Sequence, residues 1–465
     1  MIFSSIEFLL CFLPLFLLLY AVTPKYMKNA ILLSGSLVFY AFGEPEYLWL
    51  LMVSTLINYF LGLHLARGAK LKKGKKKKQK KKGLERNRKI LLALSVAGNI
   101  GVLAVFKSGI GAGGLPMGIS FYTFRILSYL FDVYRGEETK ETSFLRLATY
   151  VTMFPQLLSG PIASYGEVRE ALHEREFSAN SIQAGLKVFT MGLVFKVLLA
   201  DRLGLLWREV QVTGFESIST PLAWIAAIAY SMKLYFDFYG YSLMAVGLGQ
   251  MLGFSLPSNF LNPYMASSVR IFYRRWHITL GRWFSRYVYI PLGGNRKGEW
   301  RTLGNLLCVW LLTALWHGST VNFLIWGIML WALIVMERQL TRLGMGKFVS
   351  RGVLRALPHL YLWLVIPISW MCFAITDLSQ LGIYLGRMSG MTEGIYVNAD
   401  DWKNAVMNYG VLLLAGGFAC TPALEKLFDK WKDRLPGMLL LIALFWLCVW
   451  RLQVEGQNPF MYLNF

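Results

Sequence analysis

Apolar runs of roughly 15–20 residues recur from end to end of this chain, separated by short basic, acidic or glycine- and proline-rich breaks. A bilayer-crossing helix needs about 20 such residues, and continuous rather than alternating runs argue against a β-barrel. The pattern predicts helices over Ile6–Val22, Ile31–Phe42, Tyr47–Leu65 and Ile90–Phe106. An apolar stretch over 115–137 then carries Arg125 and Asp132; Arg125 either snorkels to an interface or faces a polar cavity. Residues 150–165 hold two prolines and a glycine, which predicts a broken or re-entrant element. His173 follows in a polar stretch and is expected to be a solvated loop residue.

Further helices are expected over Ile182–Leu199, Pro221–Tyr241, Leu357–Ala374, Tyr409–Leu424 and Leu439–Leu452, with two more apolar runs between 302 and 336. Lys233 and Asp237 stand four apart on one helix face, a spacing that predicts a pair. The expectation is an all-α polytopic membrane protein of about eleven spanning or near-spanning helices, with re-entrant and amphipathic interfacial elements. It reads as a single membrane domain over 1–465: N-terminal helices 1–65, a basic loop 66–89, a core 90–331 and C-terminal helices 332–465.

Composition agrees with this. Of 465 residues 55% are hydrophobic and only 16% charged, with mean hydropathy +0.46, which excludes a string of soluble domains. The net charge of +22 is concentrated: Arg67–Lys89 has fourteen Lys/Arg and one acid, Glu85. Between two spanning helices that bias marks a cytoplasmic loop, so nucleic-acid binding is not inferred. The bias sets both termini and the Glu44/Glu46 turn outside, and it brings the loop against anionic lipid headgroups. Glu7 and the lack of a basic n-region make the first run a retained helix. The cysteines at 11, 308, 372, 420 and 448 are scattered in apolar runs, without metal or disulfide spacing.

The stretch Val269–Trp331 concentrates the candidate chemistry. Val269–Arg301 has eight Lys/Arg and one acid, which places it on the cytoplasmic side. Trp276, Trp283, Phe284, Tyr287 and Tyr289 interleave with Arg275, Arg282 and Arg286. This reads as an amphipathic surface helix, with aromatics at headgroup depth. It either anchors the chain or cradles an anionic, partly aromatic molecule through Arg274, Arg275, Arg282 and Trp276. Asn295 closes the tight turn Gly293-Gly294-Asn295. The chain then enters the membrane at Thr302, and His317 lies fifteen residues on, within the membrane profile. An imidazole there is a general base or a buried structural residue, with Trp316 and Asn322 close enough to share its cavity. Nothing nearby has the pattern of a nucleophilic triad or a metal site.

Several motifs carry a resemblance: LPMGISFYTF (115–124), DVYRG (132–136), FPQLLSGPI (154–162), YFDFYGYSLMAVGLGQMLGF (235–254), RRWHITLGRWF (274–284), YIPLGGNRKG (289–298), TALWHG (313–318) and PFMYLNF (459–465). In this order they resemble the membrane-bound O-acyltransferase family, in its bacterial alginate O-acetyltransferase-like branch. The resemblance implies helices around a central channel that links a cytoplasmic acyl donor to an acceptor on the far side. It maps the invariant family histidine onto His317 and the second motif histidine onto His277. It implies acetyl-CoA as donor substrate, no permanently bound cofactor, a bacterial cell membrane, a polysaccharide or cell-wall glycan acceptor, and an exported acyltransferase as partner. D-alanyl transfer to teichoic acid from a carrier protein is the nearest alternative. A non-enzymatic glycan transporter is another, although no internal repeat supports it.

Overall fold

The computed structural model describes residues 1–66, 77–109, 114–138, 140–344, 356–391, 397–456, 458, 460 and 461. Among the described residues every regular element is helical. The helices are α1 (Leu13–Val22), α2 (Lys28–Ala41), α3 (Leu48–Leu65), α4 (Lys77–Lys107), α5 (Ile119–Arg135), α6 (Phe144–Thr152), α7 (Phe154–Leu157), α8 (Tyr165–His173), α9 (Ala179–Val194) and α10 (Asp201–Thr213). They continue as α11 (Thr220–Met251), α12 (Val269–Arg275), α13 (Ile278–Phe284), α14 (Glu299–His317), α15 (Val321–Arg342), α16 (Leu357–Ala374), α17 (Leu378–Met388), α18 (Asp401–Ala419), α19 (Pro422–Trp431) and α20 (Leu435–Glu455).

Among the described residues six helices or helix runs are long and apolar enough to cross a membrane, or seven if a bent pair counts as one span. They are Pro45–Leu65, Gly83–Lys107, Ala179–Thr213, Val321–Arg342, Leu357–Ala374 and Leu435–Glu455. The chain is thus a multi-pass membrane protein, and among the described residues its clear spans are fewer than the about eleven spanning or near-spanning helices expected. The shortfall has local causes. The first apolar helix run, Glu7–Val22, is short. Helix α5 carries Arg125, Asp132 and Arg135, and the chain breaks between α6 and α7. The expected helix over Tyr409–Leu424 is two helices, α18 and α19, bent by 79°. The bend follows from Thr421-Pro422. Thr421 is extended, as a residue before proline prefers, and its hydroxyl accepts from the Ala423 N–H to cap α19.

The described residues form two compact units, within 1–189 with 241–258 and within 190–240 with 259–461. In the first unit the rings of Phe8, Phe12, Phe16, Phe39 and Phe189 gather with Phe154, which lies 5.2 Å from Phe16. The proline-rich stretch is broken as its sequence predicts, with α7 reduced to one turn. It packs so closely that a Cβ on Gly118 would lie 2.3 Å from the Leu157 carbonyl oxygen, at a φ of +72° that also favours glycine. Arg125 does not snorkel. It is 1% exposed and donates to the carbonyls of Phe121 and Tyr150.

His173 is not simply solvated, since its Nε2 lies 3.4 Å from Glu141. Glu141 also accepts from Arg146, the Tyr165 hydroxyl and the Ser143 N–H. Burial would raise this carboxyl, but those hydrogen bonds outweigh it and hold it at about 2. The predicted basic loop also changes: residues 67–76 lie outside the described residues, and from Lys77 the chain is already helical in α4.

In the second unit the expected Lys233–Asp237 pair is replaced by another. Asp237 lies 2.8 Å from Lys196, which also reaches Asp201 at 2.7 Å. The second Asp237 oxygen accepts from the Met461 N–H. Lys233 instead points its Nζ at the Met461 sulfur, 3.5 Å away. Spacing of four brings two side chains to one face of α11, but the π-helical turn Phe195–Ala200 supplies a closer cation.

Candidate active site around His317

The candidate site lies wholly within the second unit. Helix α14 stops at His317 because Gly318 and Ser319 interrupt the apolar run, and α15 begins at Val321. The two helices approach closely at Gly327, where a Cβ would lie 3.0 Å from both the Trp310 carbonyl oxygen and the Ala314 Cβ. That approach brings Trp326 edge-on to His317, with ring centroids 5.2 Å apart. Phe373, at the end of α16, lies at 5.0 Å and is also edge-on. Phe323 stacks over the imidazole at 6.2 Å, and Trp316 lies at 4.6 Å. His317 is therefore 8% exposed within an aromatic cage. Edge-to-face contacts of this kind fix ring orientation as well as burying area.

His277 sits where α12 gives way to α13. Its backbone is left-handed, at φ 46° and ψ 53°, which is uncommon for a residue with a side chain. Flanking hydrogen bonds hold it there. The Ile278 N–H donates to the Asn259 carbonyl, the Leu261 N–H to the Arg275 carbonyl, and the Thr279 hydroxyl to Asn259 Oδ1 at 2.6 Å. The imidazole is 5% exposed and lies edge-on to Phe238 at 4.7 Å. Neither ring nitrogen has a hydrogen-bond partner among the described residues. Buried polar atoms are nearly always bonded, so an open pair on a strained residue points to function. Burial alone pushes this imidazole down to about 3, so it is neutral at physiological pH.

The structure brings His277, Trp316 and His317 together: the Trp316 ring is 6.2 Å from one imidazole and 4.6 Å from the other. Trp276 is linked to them through Trp370, at 5.0 Å, which in turn lies 5.7 Å from Phe373. The amphipathic surface helix expected over this region is instead two short helices and a π-helical turn, Ser285–Tyr289. Its aromatics Trp276, Trp283, Phe284 and Tyr287 are buried in protein: Trp276 packs on Phe260, Phe272 and Trp370, and Trp283 packs on Phe284 and Tyr287. Its arginines still face outward. Arg274 and Arg282 are exposed, while Arg275 is half-buried and donates to the Met265 carbonyl.

Asn322 is fully buried, and its amide donates to the carbonyls of Cys372 and Phe373. It ties α15 to the end of α16 and so fixes the Phe373 ring against His317. Asn295 is exposed in its turn, which Asn305 clamps by donating to the Gly294 carbonyl at 2.9 Å. Among the described residues no three of His, Cys, Asp and Glu gather as a metal-binding group.

The sequence reading did not single out Trp326, Phe323, Phe373, Phe238 or Asn259. Trp326 and Phe323 stand close after His317, so their aromatic character was a usable signal. Phe373, Phe238 and Asn259 come from remote segments, and no local pattern marks them.

Residues 37–388 match the family described as MBOAT, membrane-bound O-acyltransferase family. The chain belongs to that family. It is 33% identical to the probable alginate O-acetylase AlgI of Pseudomonas putida, over all of both chains. It is 31% identical to the peptidoglycan O-acetyltransferase of Helicobacter pylori, over 84% of this chain and 80% of that one. A teichoic acid D-alanyltransferase of Lacticaseibacillus rhamnosus is 27% identical over 46% of this chain and 56% of its own. The match to the MBOAT family includes α5 to α17 and with them His277 and His317. As an MBOAT protein with O-acetyltransferase relatives, the chain is a membrane O-acyltransferase.

Proposed function

We propose that this protein moves an acetyl group from cytoplasmic acetyl-CoA across the bacterial cell membrane, for O-acetylation of an extracytoplasmic polysaccharide or cell-wall glycan. The observation that carries the reading is the pair of buried imidazoles flanking Trp316. His317 acts as general base. It takes the proton of an acceptor hydroxyl as the oxygen attacks the thioester carbonyl; the C–S bond then breaks and the thiolate leaves. His277, neutral and with both ring nitrogens open, holds the donor side of the reacting group through a hydrogen bond. Arg274, Arg275 and Arg282 attract the donor's phosphates, with Trp276, Trp316 and Asn295 positioned along its approach and Asn322 supporting the cage.

The reading takes residues 1–465 as one catalytic membrane domain whose helices surround a channel. The Arg67–Lys89 stretch then faces the cytoplasm and both termini face outside. An exported acyltransferase receives the group and delivers it to the glycan. Support comes from the two O-acetylating relatives, which align over more of the chain than the D-alanylating one.

The test is donor choice by purified protein in liposomes. Turnover of radiolabelled acetyl-CoA, with no use of a D-alanyl-loaded carrier protein, is the expected result. Turnover of the carrier alone would transfer the proposal to the D-alanylating branch, and turnover of neither would end it.

A further inference from the structure

A cavity in the same unit is lined by neither histidine and is almost wholly apolar. It has a volume of about 640 Å³, within the range of small-molecule sites. Leu198, Ala415, Phe428, Leu440 and Leu444 line it, so its walls come from the π-helical turn Phe195–Ala200 and from α18, α19 and α20. The π-helical turn and α20 belong to candidate spans, and α18 and α19 qualify together as a bent pair, so the cavity lies among helices for which acyl chains are the solvent. Helix α19 is turned by 79° from α18. A helix turned so far from a spanning one runs near the membrane plane, with charged side chains at headgroup depth.

The rim of the cavity has the opposite character from its walls. Lys432 lines it directly and is half-buried, with its Nζ 2.6 Å from Asp429, which leaves further N–H groups for another acceptor. The Arg434 guanidinium lies over the ring of Trp431, 5.1 Å from its centroid, and Trp431 is itself a lining residue. Arg434 has no carboxylate partner among the described residues. Pro436 and Gly437 also line the cavity, so the N-terminal, positive end of the 21-residue α20 meets the same rim. An apolar cavity beneath a lysine, an arginine stacked on tryptophan and a helix N-terminus matches one kind of ligand: apolar chains joined to an anionic phosphate.

We infer that this cavity is a binding site for a bilayer phospholipid with a net negative headgroup. Its acyl chains occupy the space between α18, α19 and α20, and its phosphodiester sits against Lys432 and Arg434. The site is separate from the acyl-transfer chemistry, since neither His277 nor His317 lines it.

The experiment uses the full-length protein in nanodiscs doped with phosphatidylglycerol or phosphatidylcholine carrying a diazirine in one acyl chain. Crosslinked peptides are mapped by mass spectrometry. Phosphatidylglycerol is expected to label peptides from α19 and α20 about fivefold more than phosphatidylcholine for each basic contact made. K432Q together with R434Q should bring the two lipids to equal labelling. A415W, which fills the cavity, should abolish the labelling of Phe428 and Leu444 by both lipids; L412F is a second, gentler filling variant. Monodisperse size-exclusion profiles establish that each variant is folded. Equal labelling by the two lipids in the unsubstituted protein would reduce the site to ordinary lipid contact and overturn the inference. So would labelling that survives A415W and L412F, or a protein segment crosslinked in the cavity in place of lipid.

Discussion

Trp316 lies between His277 and His317, its ring 6.2 Å from the first imidazole and 4.6 Å from the second. The two histidines are forty residues apart in sequence and come from different helix ends, yet one indole contacts both rings. An indole in that place packs against both imidazoles and links them. The arrangement makes the pair a unit, and the following outcomes test its parts.

The first concerns His277 and pH. Its usual value of 6.5 falls to about 3 in the fold, because burial disfavours the charged ring. The unfolded chain therefore binds its proton first as the medium is acidified. This contribution to stability is complete above about pH 6.5 and is lost as the pH falls from there towards 3. Thermal unfolding midpoints in detergent should drop between pH 7.5 and pH 5. H277N keeps a residue that tolerates the left-handed backbone but does not titrate, and it should flatten that part of the profile. An unchanged slope in H277N would place its origin elsewhere.

A second outcome concerns the close contact at Gly318. A Cβ there would lie 2.4 Å from the Phe323 ring, so the ring must move, and with it the stack over His317. A shift of about 1 Å near reacting groups costs on the order of 10²-fold in rate. G318A should therefore lower kcat by about 10- to 100-fold with little change in donor KM, measured with labelled donor.

The buried charges on α11 give a third. K196M leaves Asp201 and Asp237 without their shared cation and should destabilise the protein by about 3–5 kcal/mol. K233M removes a cation whose Nζ faces a thioether sulfur, and should cost less than about 1 kcal/mol. Comparison of the two unfolding midpoints checks the order. Equal losses would restore the pairing that the four-residue spacing suggested.

The exposed arginines supply a fourth. If Arg274 and Arg282 attract donor phosphates, R274Q and R282Q should raise the donor KM several-fold and steepen its rise with salt, while leaving kcat near normal. An unchanged KM in both would leave them as surface charges only.

Much of this was legible in the chain. The apolar runs gave the membrane class, and the motifs around His277 and His317 gave the family, because both signals are local. The Thr421-Pro422 bend was missed by the single helix expected over Tyr409–Leu424, although proline restricts the residue before it. Partners from remote helices were not legible. Phe373 closes the cage from α16, Asn259 anchors the turn at His277, and Lys196 takes Asp237 from Lys233. Burial of Trp276 and Tyr287 was misread for the same reason. A basic and aromatic stretch has one composition whether its rings meet headgroups or other helices, and only the neighbours decide.

The central claim is that His317 is the general base for acyl transfer. Loss of such a base typically costs about 10²–10⁴-fold in rate. The direct measurement is single-turnover transfer from labelled donor in purified H317A, with donor affinity determined on the same preparation. The account predicts a monodisperse protein that binds donor as before and transfers at least 10²-fold more slowly. Transfer at the unsubstituted rate would contradict it, and would leave His317 as a structural residue in an aromatic cage.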